Sequence, residues 1–163
     1  MDEKLYNRLL FHFVNSIIET YKKLSGVTLS KPQVEPTSAE TFSFDGCVAM
    51  TSFKGGLSGR VGIALDEPIA LKVSNGLTLE NQEKINKDVL FSVSEFLNIV
   101  GGIAFSSFNN EFREKRILPA PPSAFYGKDL RFVNFKVKGF NVLFSESDGT
   151  LRVNMVVVEE RNG

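Results

Sequence analysis

From about Ile85 to about Glu111 the chain contains no proline, and its apolar residues recur at helical spacing: Val89, Val93, Phe96, Leu97, Val100, Ile103 and Ala104. At ~1.5 Å per residue such a helix is roughly 40 Å long. A stripe of that length has to be covered, so the remaining elements must form a broad apolar surface beneath it. The opposite face holds Glu95 and Asn98, three residues apart and therefore about 60° from each other around the helix. Ser92, Gly102 and Ser106 flank them with small side chains, and Phe91 and Phe105 are expected to be exposed. A glycine inside a helix costs about 1 kcal/mol relative to alanine. The pair Gly101-Gly102 therefore argues for close packing or for close approach of a partner.

The rest of the chain supplies a second helix of this kind and a set of strands. Leu9, Leu10, Phe13, Val14, Ile17, Tyr21 and Leu24 predict an amphipathic helix from about Leu5 to Leu24, with Gly26 as its C-cap. Val27 to Val34 reads as a short edge strand because Pro32 interrupts it, and Thr37 to Glu40 reads as a turn. Thr41 to Phe53 and Gly59 to Asp66 predict two strands joined through Lys54-Gly55-Gly56. Pro68 to Asn75 predicts a short helix. Pro119, Pro121 and Pro122 force an extended crossing after the long helix. Asp129 to Lys138, Phe140 to Ser145 and Leu151 to Glu160 then read as strands, the last two joined at Asp148-Gly149.

The order is that of a single α+β domain spanning residues 1–163. A faint internal repeat, about 1–80 and 81–163, gives each half a long helix, a proline-bearing extended segment and paired strands. Aligning Asn15 with Asn98 places His12 opposite Glu95.

Charge and cysteine content narrow the function classes. Lys+Arg and Asp+Glu are both 19, so there is no basic excess to drive non-specific nucleic-acid binding. Cys47 and His12 are the only residues of their types. They can form neither an internal disulfide nor a His/Cys zinc site, and no metal site is expected. The charged start and the lack of an apolar run near ~20 residues favour a cytoplasmic protein without membrane insertion. There is no Gly-Lys-Ser/Thr phosphate loop and no nucleophile elbow, and one histidine would have to serve any triad. Self-contained catalysis by a common constellation is thus poorly supported.

Glu95 and Asn98 suit a different task. A carboxamide can hold a water in line with a phosphoryl group, since its carbonyl accepts and its NH2 donates. A carboxylate can pair with a lysine on a phosphorylated partner. Phosphoryl hydrolysis depends mainly on positioning and electrostatics, so two residues suffice if the partner brings phosphate and metal. The same spacing also occurs on helix faces that are merely solvated, and the two residues alone do not decide between these.

The stretch Ser94-Glu95-Phe96-Leu97-Asn98-Ile99-Val100-Gly101-Gly102, with Pro121 lying 23 positions after Asn98 (121 − 98), resembles the signature of the CheC/CheX/FliY phosphatases. The order of elements resembles CheX most. The resemblance implies a CheC-like α+β fold of two related halves, each with a long helix packed on antiparallel sheet. It implies an enzyme that removes phosphate from the aspartate of a CheY-like response regulator in chemotaxis or related two-component signalling. Asn98 would orient the attacking water, Glu95 would pair with a lysine of the regulator, and Pro121 would shape the adjacent loop. Partner contacts would fall at Phe91, Ser92, Ile99 and Gly102. The chain would need no cofactor of its own, since Mg2+ would be held by the regulator. His12-Phe13-Val14-Asn15 lacks a carboxylate at its first position, which implies one site per chain and, as in CheX-type members, a homodimer. One departure stands out: Phe91 occupies the place, four before the Glu, where the family usually has Asp or Ser. It leaves open a regulator-binding module without catalysis.

Overall fold

A computed structural model describes residues 3–37, 41–133 and 138–158. The elements are α1 (Glu3–Ser25), β1 (Gln33–Thr37), β2 (Thr41–Gly55), β3 (Ser58–Leu65), α2 (Glu67–Thr78), α3 (Lys87–Glu111), β4 (Ile117–Pro119), β5 (Ser123–Val133), β6 (Lys138–Glu146) and β7 (Gly149–Val158). The strands form one antiparallel sheet in the order β1-β6-β7-β3-β2, and both β4 and β5 pair with the far edge of β2. Strands alternate as a sheet covered by helices requires. Val61, Ile63 and Leu65 of β3 and Leu151, Val153, Met155 and Val157 of β7 join one core with the helices. The result is an α+β architecture of three helices on an antiparallel sheet, as expected.

The apolar stripe of α1, from Leu5 through Leu9, Phe13 and Ile17 to Tyr21, is buried. Tyr6 stacks on Phe140 with ring centroids 4.8 Å apart, and its hydroxyl donates to the Met155 carbonyl. Gly26 ends α1 with φ +74°, and its N–H bonds the Lys22 carbonyl. At the end of β2, Gly55 has φ +145°, and a Cβ there would overlap the Arg116 carbonyl oxygen. Only glycine fits that hairpin.

The short helix is longer than its pattern suggests, reaching Thr78, with Pro68 in its first turn. Residues 27–32 form no strand. The edge strand begins only at Gln33, past Pro32, which has no N–H to give a ladder. The expected turn at 37–40 and the end of the last strand fall largely outside the described residues.

The proline segment departs from the expected crossing. Phe53 pairs with Pro119 and Met50 with Ser123, so Thr51 and Ser52 face Ala120, Pro121 and Pro122. Three residues against two make a β-bulge, and β5 starts directly after it rather than at Asp129. The prolines cannot donate to the ladder, yet the strand resumes its pairing beyond them.

The long helix is long and apolar enough to cross a membrane by composition, its best 18-residue window reaching a mean hydropathy of 1.6. That corrects the expectation that no run approaches a span. Its apolar side lies in the core: Val89, Val93, Phe96, Leu97, Val100, Ala104 and Phe108 are buried. Asn86 caps it, Oδ1 accepting the Val89 N–H at 2.9 Å. Replacing Asn86 with Ala is expected to cost about 1 kcal/mol of stability. A shift of the urea midpoint worth less than a few tenths would show that the cap does not hold the first turn.

Candidate functional site on the outer face of the long helix

Phe91, Glu95, Asn98, Gly102 and Ser106 succeed one another along the outer face of α3, at steps of four, three, four and four residues. Phe91 is 72% exposed. Asn98, Gly102 and Ser106 are exposed, and Glu95 and Ile99 half-buried. Among the described residues, neither Glu95 nor Asn98 forms a side-chain hydrogen bond or ion pair. The carboxylate and the carboxamide are therefore uncommitted, side by side, on a rigid support. The helix keeps them so because Leu97 and Phe96, between them in sequence, are held fully buried.

Asn98 borders a crevice of about 10 Å³, walled by Thr51, Leu97, Gly101 and Phe105 and by Pro119, Ala120 and Pro122 of the bulge. That is close to the space needed to hold a single water. Ser94 Oγ donates to the Pro122 carbonyl at 3.3 Å and ties the bulge to α3. Pro121 itself is exposed and does not line the crevice; its neighbours on either side do.

Three sequence-level expectations are corrected. Ser92 is not a surface residue: it is 3% exposed, its Oγ donates to the Asp88 carbonyl and accepts from Ser74 Oγ of α2. It is therefore no partner contact. Phe105 is buried, edge-to-face with Phe13 at 5.2 Å, because the bulge and α1 close over it. Ile103, expected in the core, is 44% exposed and extends the outer face.

The two glycines differ. A Cβ on Gly101 would make ordinary contact with the Phe105 and Phe13 rings, whereas a Cβ on Gly102 would meet open space. Among the described residues nothing requires glycine at 102.

His12 of α1 lies away from this face. Its Nε2 is 2.8 Å from Glu111 Oε2, beside a paired contact from Arg8, whose guanidinium also sits over the Phe11 ring. These bonds hold the Glu111 carboxyl below its ordinary range, Arg8 contributing most. The larger cavity, about 380 Å³, is lined by Ser43, Asp45, Asp66, Asp129, Thr150 and Arg152 and includes no residue of α3. Asp66 there is engaged by the Thr150 N–H and hydroxyl. Among the described residues no three His, Cys, Asp or Glu side chains gather as a metal site would require.

With this geometry in place, comparison with known proteins is decisive about kinship. The family model described as "Chemotaxis phosphatase CheX" matches residues 47–145, more than half of the chain. The chain belongs to the CheX family. The matched span runs from β2 to the end of β6 and so includes α3, the bulge and the crevice. Solved structures agree on the CheX fold. A chemotaxis protein CheX from Desulfovibrio desulfuricans superposes with a TM-score of 0.81 at 16% identity, covering 92% of this chain and 99% of that one. The CheX of a CheX–CheY–BeF3–Mg2+ complex from Borrelia burgdorferi gives 0.71 at 21% identity, covering 92% and 97%. FliY of Thermotoga maritima gives 0.56 at 18% identity, covering 88% and 83%. No curated protein matches the sequence directly. At these identities the structures speak for the CheX fold, and the family model for membership.

Proposed function

We propose that this CheX-family chain hydrolyses the aspartyl phosphate of a CheY-like response regulator in chemotaxis or a related two-component circuit. The single observation that carries the reading is the uncommitted Glu95–Asn98 pair beside a water-sized crevice. The Borrelia CheX solved with CheY, BeF3 and Mg2+ supplies the kind of partner. In this reading the water is held by the Asn98 carboxamide and attacks phosphorus. The bond from phosphorus to the aspartate oxygen breaks, inorganic phosphate leaves, and the aspartate carboxylate is restored. Glu95 pairs with a lysine of the regulator, whose own carboxylates hold the Mg2+. Phe91, Ile99, Gly102 and the newly exposed Ile103 form the apolar and small contacts around the pair. A cytoplasmic location follows from such a partner, and a homodimer is expected by sedimentation.

The test is the decay of acyl phosphate on a panel of receiver domains, with and without the protein. Acceleration on at least one receiver supports the proposal, and none on any receiver sinks it. A second reading, a regulator-binding module without catalysis, is favoured by one observation: the 72% exposed Phe91 where the related signature is polar. Binding without faster phosphate loss would establish that reading.

Gly102→Ala separates fold from docking. The added methyl meets nothing in the chain, so the free protein should gain about 0.5–1 kcal/mol from helix propensity. Affinity for the activated regulator should fall about tenfold, because the methyl stands where the partner approaches. Calorimetric binding with unchanged affinity would remove Gly102 from the interface.

A further inference from the structure

We infer that Thr51 is a positioning residue for the reaction at Asn98, acting through the proline bulge. This rests on the phosphatase reading above and adds to it a residue 47 positions away in sequence (98 − 51) and on a different element. Thr51 lies on β2, with its side chain toward the helices, and is 6% exposed. Its hydroxyl donates to the Ala120 carbonyl at 2.5 Å and lies 3.2 Å from the Ser52 carbonyl.

The need for this bond follows from the sequence of the bulge. Pro121 and Pro122 have no N–H, so of the three residues facing Thr51 and Ser52 only Ala120 can donate to β2. It does so to the Ser52 carbonyl at 2.8 Å. One hydrogen bond is a weak anchor for a segment that forms a wall. The Thr51 hydroxyl supplies a second from the strand side, and Ser94 grips the Pro122 carbonyl from the helix side. Between these two grips stand Ala120 and Pro122, which face Asn98 across the crevice. A water placed there is located by the amide on one side and by that wall on the other. Reaction rates respond steeply to sub-ångström placement of this kind.

Thr51→Val is the discriminating variant, since it keeps the β-branched shape and deletes the hydroxyl. Ala120 is an exposed residue, so its released carbonyl is expected to bond water and the fold to survive. Kinetics are read with a phosphorylated receiver, and affinity with the same receiver carrying BeF3 and Mg2+. The expected result is a fall in kcat of about tenfold at saturating receiver, with KM, affinity and melting temperature held near wild type. Thr51→Ser, which restores the hydroxyl, should recover most of the turnover. Wild-type turnover in the valine variant overturns the inference. So does a loss that appears in affinity or melting temperature instead of kcat, or one that serine fails to rescue. If the wild-type protein accelerates no receiver, the phosphatase reading falls and takes this inference with it. An active wild type with an equally active valine variant removes this inference alone.

Discussion

Asn98→Ala is expected to reduce stimulated dephosphorylation of the regulator by about 100-fold or more, while the protein melts at or slightly above the wild-type temperature. The two halves of this result have separate causes. The Asn98 side chain is exposed and makes no hydrogen bond among the described residues, so nothing in the fold is lost with it. Alanine is also the better helix former, by a few tenths of a kcal/mol. In the proposed reaction the rate falls because a preorganised polar group that would hold the attacking water is removed, a loss typically worth about 10²–10³ in turnover. The loss should appear in kcat and kcat/KM together, as expected when an interaction made in the transition state disappears. Glu95→Ala should instead act mainly on KM, because the regulator lysine proposed to pair with it is present before and after the chemistry. More than half of wild-type stimulation in Asn98→Ala would remove Asn98 from the mechanism, whatever its place on the helix.

Glu146→Ala should produce the largest loss of stability among single changes outside the apolar core, about 3 kcal/mol. Its side chain is only 1% exposed, yet it gathers three elements: Lys72 Nζ of α2 at 2.7 Å, the Tyr21 hydroxyl of α1 at 2.9 Å and the Asp148 N–H of the β6–β7 turn at 3.2 Å. Truncation strands the hydroxyl of Tyr21, a fully buried residue, and halves the pairing of Lys72, which keeps Asp148. For a domain of this size that corresponds to about 6–12 °C in melting temperature. Unfolding within 1 kcal/mol of wild type would show that the network contributes little beyond its own desolvation cost.

The same cluster sets an alkaline limit. Burial, then Glu146, raises the Tyr21 pKa far above its ordinary value, and Asp148 and Glu146 raise that of Lys72. Both groups hold their protons more tightly folded than unfolded. Their contribution is complete below the ordinary values of about 10 and is lost as pH climbs above them. Melting temperature should therefore decline above about pH 10, and the decline should be shallower in Glu146→Ala.

Much of this architecture is legible in the chain itself, because helical and strand periodicities are local. The stripe from Val89 to Ala104 marks α3 to within two residues of its start, and the Gly26 stop ends α1 where the backbone turns left-handed. The Glu95–Asn98 pair follows directly from helix geometry once α3 is recognised. Ser92 and Ile103 depart from that local pattern. They are eleven residues apart, which at about 100° per residue places them within roughly 20° around the helix. One is buried and the other nearly half exposed. α2 covers the first through Ser74, and no property of α3 alone could reveal that.

The site divides in the same way. Sequence by itself determined the long helix, its polar pair and the kinship those residues signal, because each is a matter of spacing along one element. Only the tertiary structure decided what stands opposite the pair. It set Pro119 and Pro122 at the crevice with Pro121 between them turned outward, it closed Phe105 beneath Gly101, and it brought Thr51 to the Ala120 carbonyl 69 residues away. Those placements depend on how β2 pairs with β4 and β5 across the bulge. Such register is fixed by contacts between distant segments, and it leaves no period in the sequence to read.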